Sequence, residues 1–376
     1  MKFTISSTHL QSALGDVVRA VSSRNAFPIM AGIKIAAGRT GLFLTASNSD
    51  FIIERFISAD ARGEGTAQIE QAGTVVLPAQ LFHNIVRKLP GDISFSCSGN
   101  HLAEVRSEGI HTVISGMDPG EYPALPSVEG TFQAEIEAGQ LLELIKGTAF
   151  AVSKNQSRPV LTGVFMEFQE NFIDCAATDS HRLARKKLEF SGSLKTSVII
   201  PSISLNELAR LLNHGGGTVQ ITISEAYAIF SFNGTSLYSR LIEGNYPKIS
   251  GLSSGQFKSA VTLDRRKLLE GIERAGLFAS QWKNHNIHLN LENRISFRIA
   301  TTSNEMGKIE EFQKVEELQG DGEFSVMLDG HFLSDALKSM SDEEVVLKFD
   351  GTMRPVLIHP AGGREHLHLI SPVRSF

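Results

Sequence analysis

The chain has 376 residues, of which 41% are hydrophobic and 20% charged, and its formal net charge is -5. That length exceeds one compact core and points to two or three domains, while the composition excludes a disordered or fibrous chain. The acidic balance excludes a protein that coats itself in nucleic acid by bulk attraction, so any such contact needs a segregated basic surface.

No apolar run approaches the roughly 18 residues that cross a bilayer, and the N-terminus reads as strand then helix rather than as an export signal. A cytoplasmic protein is expected. Cys97 and Cys175 lie far apart in apolar, strand-like runs with no CxxC pair, and are read as packed thiols.

In chain order the elements recur three times. The first copy opens with the strand MKFTIS and a helix whose Leu10, Leu14, Val17, Val18 and Val21 share one face. After strands such as GLFLTAS, the run TVVLPAQLFHNIVRKLP reads as a strand entering a second helix, anchored by Leu81, Ile85 and Leu89; DISFSCS follows, and the copy closes with GEYPALP. The second copy starts at TFQAEIEAGQLLELI, with Leu141, Ile145, Ala149 and Val152 on one face. Its second helix, in SVIIPSISLNELARLL, is anchored by Leu205, Leu208 and Leu212, and the copy closes with GNYPKIS. The third opens at QFKSAVTLDRRKLLEGI, with Leu268, Ile272, Ala275 and Ala279, and its second helix, in FSVMLDGHFLSDALKSM, carries Phe332, Ala336 and Met340.

Pro78 and Pro201 stand at corresponding helix starts, where a missing amide hydrogen costs nothing. Strands such as TVQITIS, AIFSFN, RISFRIA and EVVLKFD alternate with period two. The short links around Pro126 to Gly130 and Ser250 to Gly255 suit domain boundaries, which gives domains over 1–127, 128–252 and 253–376. Two helices per sheet imply an α+β domain with both helices on one face. Each copy is large enough to bury a core of its own, and three such domains in a row favour a curved or ring-like assembly over a cleft enzyme.

Asp179, Ser180 and His181 are the residue types of a hydrolytic triad. Neighbours in a strand point to opposite faces, however, whereas a triad converges from separate places. A polar turn after the strand FIDCAAT is the plainer reading. His366 and His368, with His359 nearby, are two apart on a strand; without a cysteine or carboxylate cluster an exposed strand face is expected, with no metal and no cofactor. Gly215, Gly216 and Gly217 read as a helix stop, since no Walker lysine follows.

The motifs ATDSHRLA (Ala177 to Ala184), RPVLTGV (Arg158 to Val164), GNYPKI (Gly244 to Ile249), VSSR (Val21 to Arg24) and ISPVRSF (Ile370 to Phe376) stand in the three-repeat frame. In them the sequence resembles the bacterial DNA polymerase III beta subunit family, the sliding clamps, over essentially its whole length. The resemblance implies three tandem copies of the two-helix clamp fold. It also implies a homodimer closed head to tail around double-stranded DNA without sequence preference, and no catalytic site. Partners would be the replicative polymerase, a clamp loader and other proteins that dock short peptides, with no membrane.

The implied peptide pocket comprises Leu161, Thr178, Ser180, His181, Arg182, Leu183, Pro247, Leu252, Leu369, Ile370, Ser371, Pro372, Val373 and Arg374. Ser371 departs from the apolar residue usual there. Phosphate contacts would come from Arg24, Lys154, Arg87, Lys88, Arg210, Arg265, Arg266 and Arg274. The dimer interface would use Leu277 and Phe278 against a first-domain strand bearing Arg106 and His111. The six predicted helices hold ten Lys or Arg against nine Asp or Glu, which leaves 26 against 32 elsewhere, the sign expected of DNA-facing helices. The rival readings are a non-DNA scaffold of the same repeats and a hydrolase at the Asp179 and His181 turn.

Overall fold

The structure is a computed structural model that describes residues 1–21, 27–59, 66–126, 132–192, 195–213, 216–249, 257–279, 285–292, 294–303 and 307–373. Among them are six α-helices, two to each repeat: α1 (Ser7–Val17), α2 (Ala79–Val86), α3 (Ala138–Thr148), α4 (Ser202–Leu212), α5 (Arg265–Ala279) and α6 (Gly330–Ser339). Each helix follows a strand with no intervening loop. The junction residues explain how. The Ser6 hydroxyl accepts from the His9 amide at 3.4 Å, Asp264 from Lys267 at 2.8 Å, and Asp329 from His331 at 2.8 Å, so side chains satisfy amides that the first helical turn leaves open. Pro78 and Pro201 close their strands immediately before α2 and α4.

The chain forms two compact units, Met1–Gly139 with Ile203–Leu241 and Gln140–Ser202 with Ile242–Phe376. The second repeat thus contributes to both, whereas the sequence alone suggests one core per copy. In the first unit a five-stranded antiparallel sheet runs in the order Ala67–Gln71, Lys2–Ser6, Asp92–Cys97, Leu102–Ser107, Ile110–Ser115. An eight-stranded sheet runs Phe132–Glu137, Thr218–Ile223, Tyr227–Phe232, Thr235–Arg240, Phe51–Ser58, Gly41–Ser47, Gly32–Gly38, Gly73–Pro78. α1 and α2 pack together, and the buried rings of Phe3 and Phe95 stack with centroids 4.7 Å apart.

In the second unit a nine-stranded sheet runs Thr196–Pro201, Gly163–Phe168, Phe172–Thr178, Arg182–Glu189, His366–Ile370, Val356–Pro360, Glu344–Phe349, Ser259–Asp264, Glu317–Gly320. A four-stranded sheet runs Gly307–Lys314, Ser296–Ser303, Asn286–Glu292, Phe324–Asp329. α5 and α6 pack on each other over a core that includes Leu268, Ile272, Leu333 and Leu337.

Two of these sheets are continuous from one repeat into the next. In the first unit Thr235–Arg240 of the second repeat pairs with Phe51–Ser58 of the first, with Leu237 opposite Ile53. In the second unit Arg182–Glu189 of the second repeat pairs with His366–Ile370 of the third, with Ala184 opposite His368. These seams explain why a compact unit is larger than a repeat. The strands in the same repeat positions that remain, Ile110–Ser115 and Gly307–Lys314, are sheet edges.

Ten of the 13 residues read as first-helix anchors are buried, Leu10, Leu14, Leu141, Ile145, Leu268 and Ile272 among them, with Val18, Val21 and Val152 partly exposed; α2 departs further. Leu81, read as a core anchor, is 52% exposed, and the buried face is Ala79, Phe82 and Val86. α2 begins only at Ala79, which turns the face by one residue, and the Phe82 ring meets Phe95 edge-on at 6.2 Å. Phe82→Ala should therefore cost about 3 to 5 kcal/mol, and Leu81→Ala less than about 1, in urea unfolding. Equal costs would return Leu81 to the core.

Candidate partner-binding site

The turn between Phe172–Thr178 and Arg182–Glu189 is built by its own side chains. One Asp179 carboxylate oxygen accepts from the amides of His181 and Arg182, each at 2.9 Å, and Ser180 takes a left-handed φ of 80°. The Thr178 hydroxyl donates to the Arg182 carbonyl at 2.6 Å and accepts from the Ser180 amide at 3.2 Å. The Thr178 amide in turn donates to the Tyr246 hydroxyl at 3.0 Å, which ties the GNYP segment to the turn. Burial pushes the Tyr246 phenol well above its ordinary range, so it stays neutral and its ring stacks on Phe165 at 5.3 Å. Asp179 is therefore the cap of a turn, with Ser180 and His181 exposed beside it, and not the acid of a triad.

Arg182 sits at the centre. Its guanidinium donates to Asp179 at 3.1 Å, to Asp335 of α6 at 2.7 Å and to the Phe150 carbonyl at 2.7 Å, between the rings of Phe150 and Phe332. With these donors committed and the side chain 10% exposed, Arg182 locks the turn onto α6 instead of offering a charge to a ligand. Phe332 is legible in the sequence only as a helix anchor, and Asp335, Phe150 and Tyr246 are the residues that sequence reading misses here. Only Tyr246, inside a quoted motif, carries a signal that points to it.

The C-terminal segment joins this turn: the Ser371 amide donates to the His181 carbonyl, and the Val373 amide to the Met327 carbonyl, both at 2.9 Å. Leu183 and Leu369 face each other across the seam in a small apolar cluster with Ala176, Leu357 and Leu367, against which Ile249 packs. Ile370 does not join them. It is 1% exposed and lies in the main core, because successive strand residues alternate faces. Leu161 is buried in the short turn Pro159–Thr162, and Pro247 is exposed. Gly244 (φ 130°) runs so near that turn that a Cβ there would lie 2.7 Å from Val160 Cγ1. Leu252 and Arg374 lie outside the described residues.

The expectation of an exposed histidine strand is wrong. His366 and His368 are 7% and 2% exposed, because the seam covers the strand that sequence reading leaves at a surface. His368 Nε2 is 3.1 Å from the Ser339 hydroxyl, His366 Nε2 is 3.3 Å from the Gly147 carbonyl, and the two rings are 4.6 Å apart. Among the described residues no group of three metal-ligating side chains forms.

The basic candidates divide. Arg87, Lys88 and Lys154 are exposed. Arg210 and Arg266 pair with Glu207 and Glu270 on their own helices, at 3.2 and 3.1 Å. Arg274 meets both oxygens of Glu311 at 2.8 Å. Arg265 is structural, since it donates to the carbonyls of Asp342 at 2.6 Å and Leu337 at 3.3 Å, where it closes the end of α6. Arg24 lies outside the described residues. Leu277 on α5 is 68% exposed and Phe278 half-buried, while Arg106 and His111 are exposed cross-strand neighbours at 2.9 and 3.7 Å from Glu104. α4 ends at Leu212, and Gly217, with a φ of 105°, stands immediately before the strand Thr218–Ile223 rather than at the helix end; Gly215 lies outside the described residues.

Three family models match in succession: the N-terminal domain of the DNA polymerase III beta subunit at residues 1–126, the central domain at 135–248 and the C-terminal domain at 255–374. The "Beta sliding clamp" of Bacillus subtilis (strain 168) is 36% identical over 379 residues, which cover 100% of both chains. This chain belongs to the DNA polymerase III beta subunit family. The "Beta sliding clamp" of Staphylococcus aureus is 34% identical over 378 residues, again with 100% of both chains covered. The crystal structure of the DNA polymerase sliding clamp from Bacillus subtilis superposes over 100% of both chains with a TM-score of 0.96 at 35% identity. The fold is thus three tandem domains of the beta-subunit type, and no separate catalytic domain is needed to account for any part of the length.

The buried histidines of the seam carry a pH dependence. Burial holds His366 down at about 4, and holds His368 well below the ordinary histidine range. In the unfolded chain both take up protons near pH ~6.5, so stability is intact above that value and falls as pH drops toward 4. Urea unfolding at pH 7 and at pH 4.5 should differ accordingly. His366→Gln should shrink the difference by roughly 2 kcal/mol, and an unchanged difference would place the acid sensitivity elsewhere.

Proposed function

We propose that this chain is a sliding clamp: two copies close head to tail around duplex DNA, and the ring tethers the replicative polymerase through a peptide seated by the Thr178–Leu183 turn and the C-terminal segment. The observation that carries the reading is the pair of sheet edges left over from the seams. Ile110–Ser115 and Gly307–Lys314 hold the repeat positions that elsewhere in the chain are joined. A second copy supplies each with its partner, and two such joints close a ring of six domains over the boundaries 1–127, 128–252 and 253–376.

The register of this joint follows from the other two. Ile53 and Ala184 stand opposite Leu237 and His368; the equivalent hairpin positions are Ile309 and Thr112. Setting these opposite each other brings Glu310 to His111, whose cross-strand neighbour is Arg106. α5 packs along Gly307–Lys314, which supports assigning its Leu277 and Phe278 to the same joint. Replacing both by glutamate should give monomers in sedimentation, and a fully dimeric variant would remove this interface.

Function then follows from topology. A closed ring stays on the duplex while each phosphate contact from Arg87, Lys88, Lys154 and Arg24 remains weak enough to slide, and tethering raises the polymerase's effective concentration at the primer end. A separate ATP-driven loader opens the ring, since the chain has no P-loop. Retention on nicked circular DNA with release after linearisation is expected. A non-DNA scaffold would show neither, and a hydrolase would instead show turnover that His181→Ala removes.

The pocket reading rests on Leu161, Thr178, Ser180, His181, Leu183, Pro247, Leu369 and the tail Ser371 to Arg374 as lining, with Arg182 as the lock beneath. Each apolar anchor of a docked peptide contributes roughly 1.5 to 3 kcal/mol before ordering costs, so two anchors reach micromolar affinity. Removing residues 372–376 should abolish calorimetric binding of a polymerase-derived peptide while the dimer persists. Unchanged affinity in the truncated dimer would sink the site.

A further inference from the structure

The outer face of the eight-stranded sheet carries a groove of about 460 Å³ that neither the ring nor the peptide pocket uses. Its floor follows one register line across five strands, Glu135 opposite Gln220, Gln220 opposite Ser231, Ser231 opposite Ser236, and Ser236 opposite Glu54. The two serines are small and bond each other at 2.9 Å, which keeps the middle low. Phe43 and Phe56, with ring centroids 4.8 Å apart, raise the wall at the Glu54 end.

A carboxylate therefore stands at each end, four strand spacings or roughly 19 Å apart. Glu54 accepts from the Thr45 hydroxyl at 3.4 Å and Glu135 from the Gln220 amide at 3.3 Å, and neither makes an ion pair with a described residue. Of the neighbouring cations, Arg55, on the opposite face of the sheet, is held by Asn233, Thr235 and Asp16. Lys34, two strands from Glu54 on the same register line, acts on it electrostatically without forming an ion pair, and its ammonium lies 5.9 Å from the Tyr122 ring centroid. Burial also holds the Glu54 carboxyl above its usual range, a cost that an incoming cation relieves.

We propose that this groove binds an extended basic segment of a partner protein, with an arginine against Glu54 and the Phe43 and Phe56 rings and a second basic residue at Glu135. The rings favour a guanidinium over an ammonium at the first position. An extended chain rises about 3.3 Å per residue, so the two basic residues stand roughly six positions apart with small residues between them. The sign of the charge excludes nucleic acid and anionic lipid as occupants.

The probe is a fluorescein-labelled heptapeptide, Arg-Ser-Ala-Ser-Ala-Ser-Lys, followed by anisotropy on the full-length protein at low salt. Its control replaces both basic residues by glutamine. The basic peptide should bind at least tenfold more tightly than the control. Glu54→Gln and Glu135→Gln should each weaken it several-fold, and Ser236→Phe, which fills the floor, should abolish it. Removing residues 372–376 should leave it unchanged, which separates this groove from the peptide pocket. Equal binding of the glutamine control, or undiminished binding by the folded Glu54→Gln/Glu135→Gln double variant, would overturn the proposal. So would loss of binding on tail removal.

Discussion

A strand at the edge of a sheet carries a row of amides and carbonyls that its own sheet cannot satisfy, and such a row pairs readily with another strand. This chain twice satisfies that row with a strand from the neighbouring repeat, at Phe51–Ser58 with Thr235–Arg240 and at Arg182–Glu189 with His366–Ile370. Backbone hydrogen bonds of this kind depend little on side-chain identity. The same joint can therefore recur in repeats whose sequences share little beyond period and turn positions.

The second seam also positions the candidate pocket. Pairing Leu183 with Leu369 brings the C-terminal strand beside the Asp179 turn, after which Ser371 bonds to His181 and Val373 to Met327. Arg182 then fastens the turn to α6 through Asp335, so one side chain holds together segments that are 153 residues apart. The cost of this arrangement lies beneath it. His366 and His368 are kept dry and neutral where the sheet, α6 and the Gly147 carbonyl meet, which makes the seam the acid-sensitive part of the unit.

The repeat, the six helices and most of their buried faces were legible in the sequence, because amphipathic period and strand-to-helix junctions are local signals. At α2 the reading failed at Leu81, since a helix of eight residues gives too few turns for Leu81 and Phe82 to be told apart by spacing, whereas Leu89 just beyond it is buried as expected. The histidine strand was misread because its cover comes from Arg182–Glu189, nearly 180 residues away, and no local pattern records such a pairing. Arg265 was read as ligand-facing from its charge on a helix, and Arg182 from its place in the ATDSHRLA motif. Their carbonyl and carboxylate partners are set by tertiary packing, which decides whether an arginine is a lock or a contact.

The central claim is that the leftover edges, Ile110–Ser115 and Gly307–Lys314, form the third joint between two copies in the register of the other two. Cysteine cross-linking tests it most directly, with His111→Cys and Glu310→Cys in one chain, oxidised and run on a non-reducing gel. Directly opposed residues on paired strands lie about 4.5 to 5.5 Å apart between Cα atoms, within disulfide reach. The account predicts a covalent dimer from this pair and much less from Thr112→Cys with Glu310→Cys, where the register slips by one and the side chains point to opposite faces. Equal yields from the two pairs, or a monomer from the first, would contradict it.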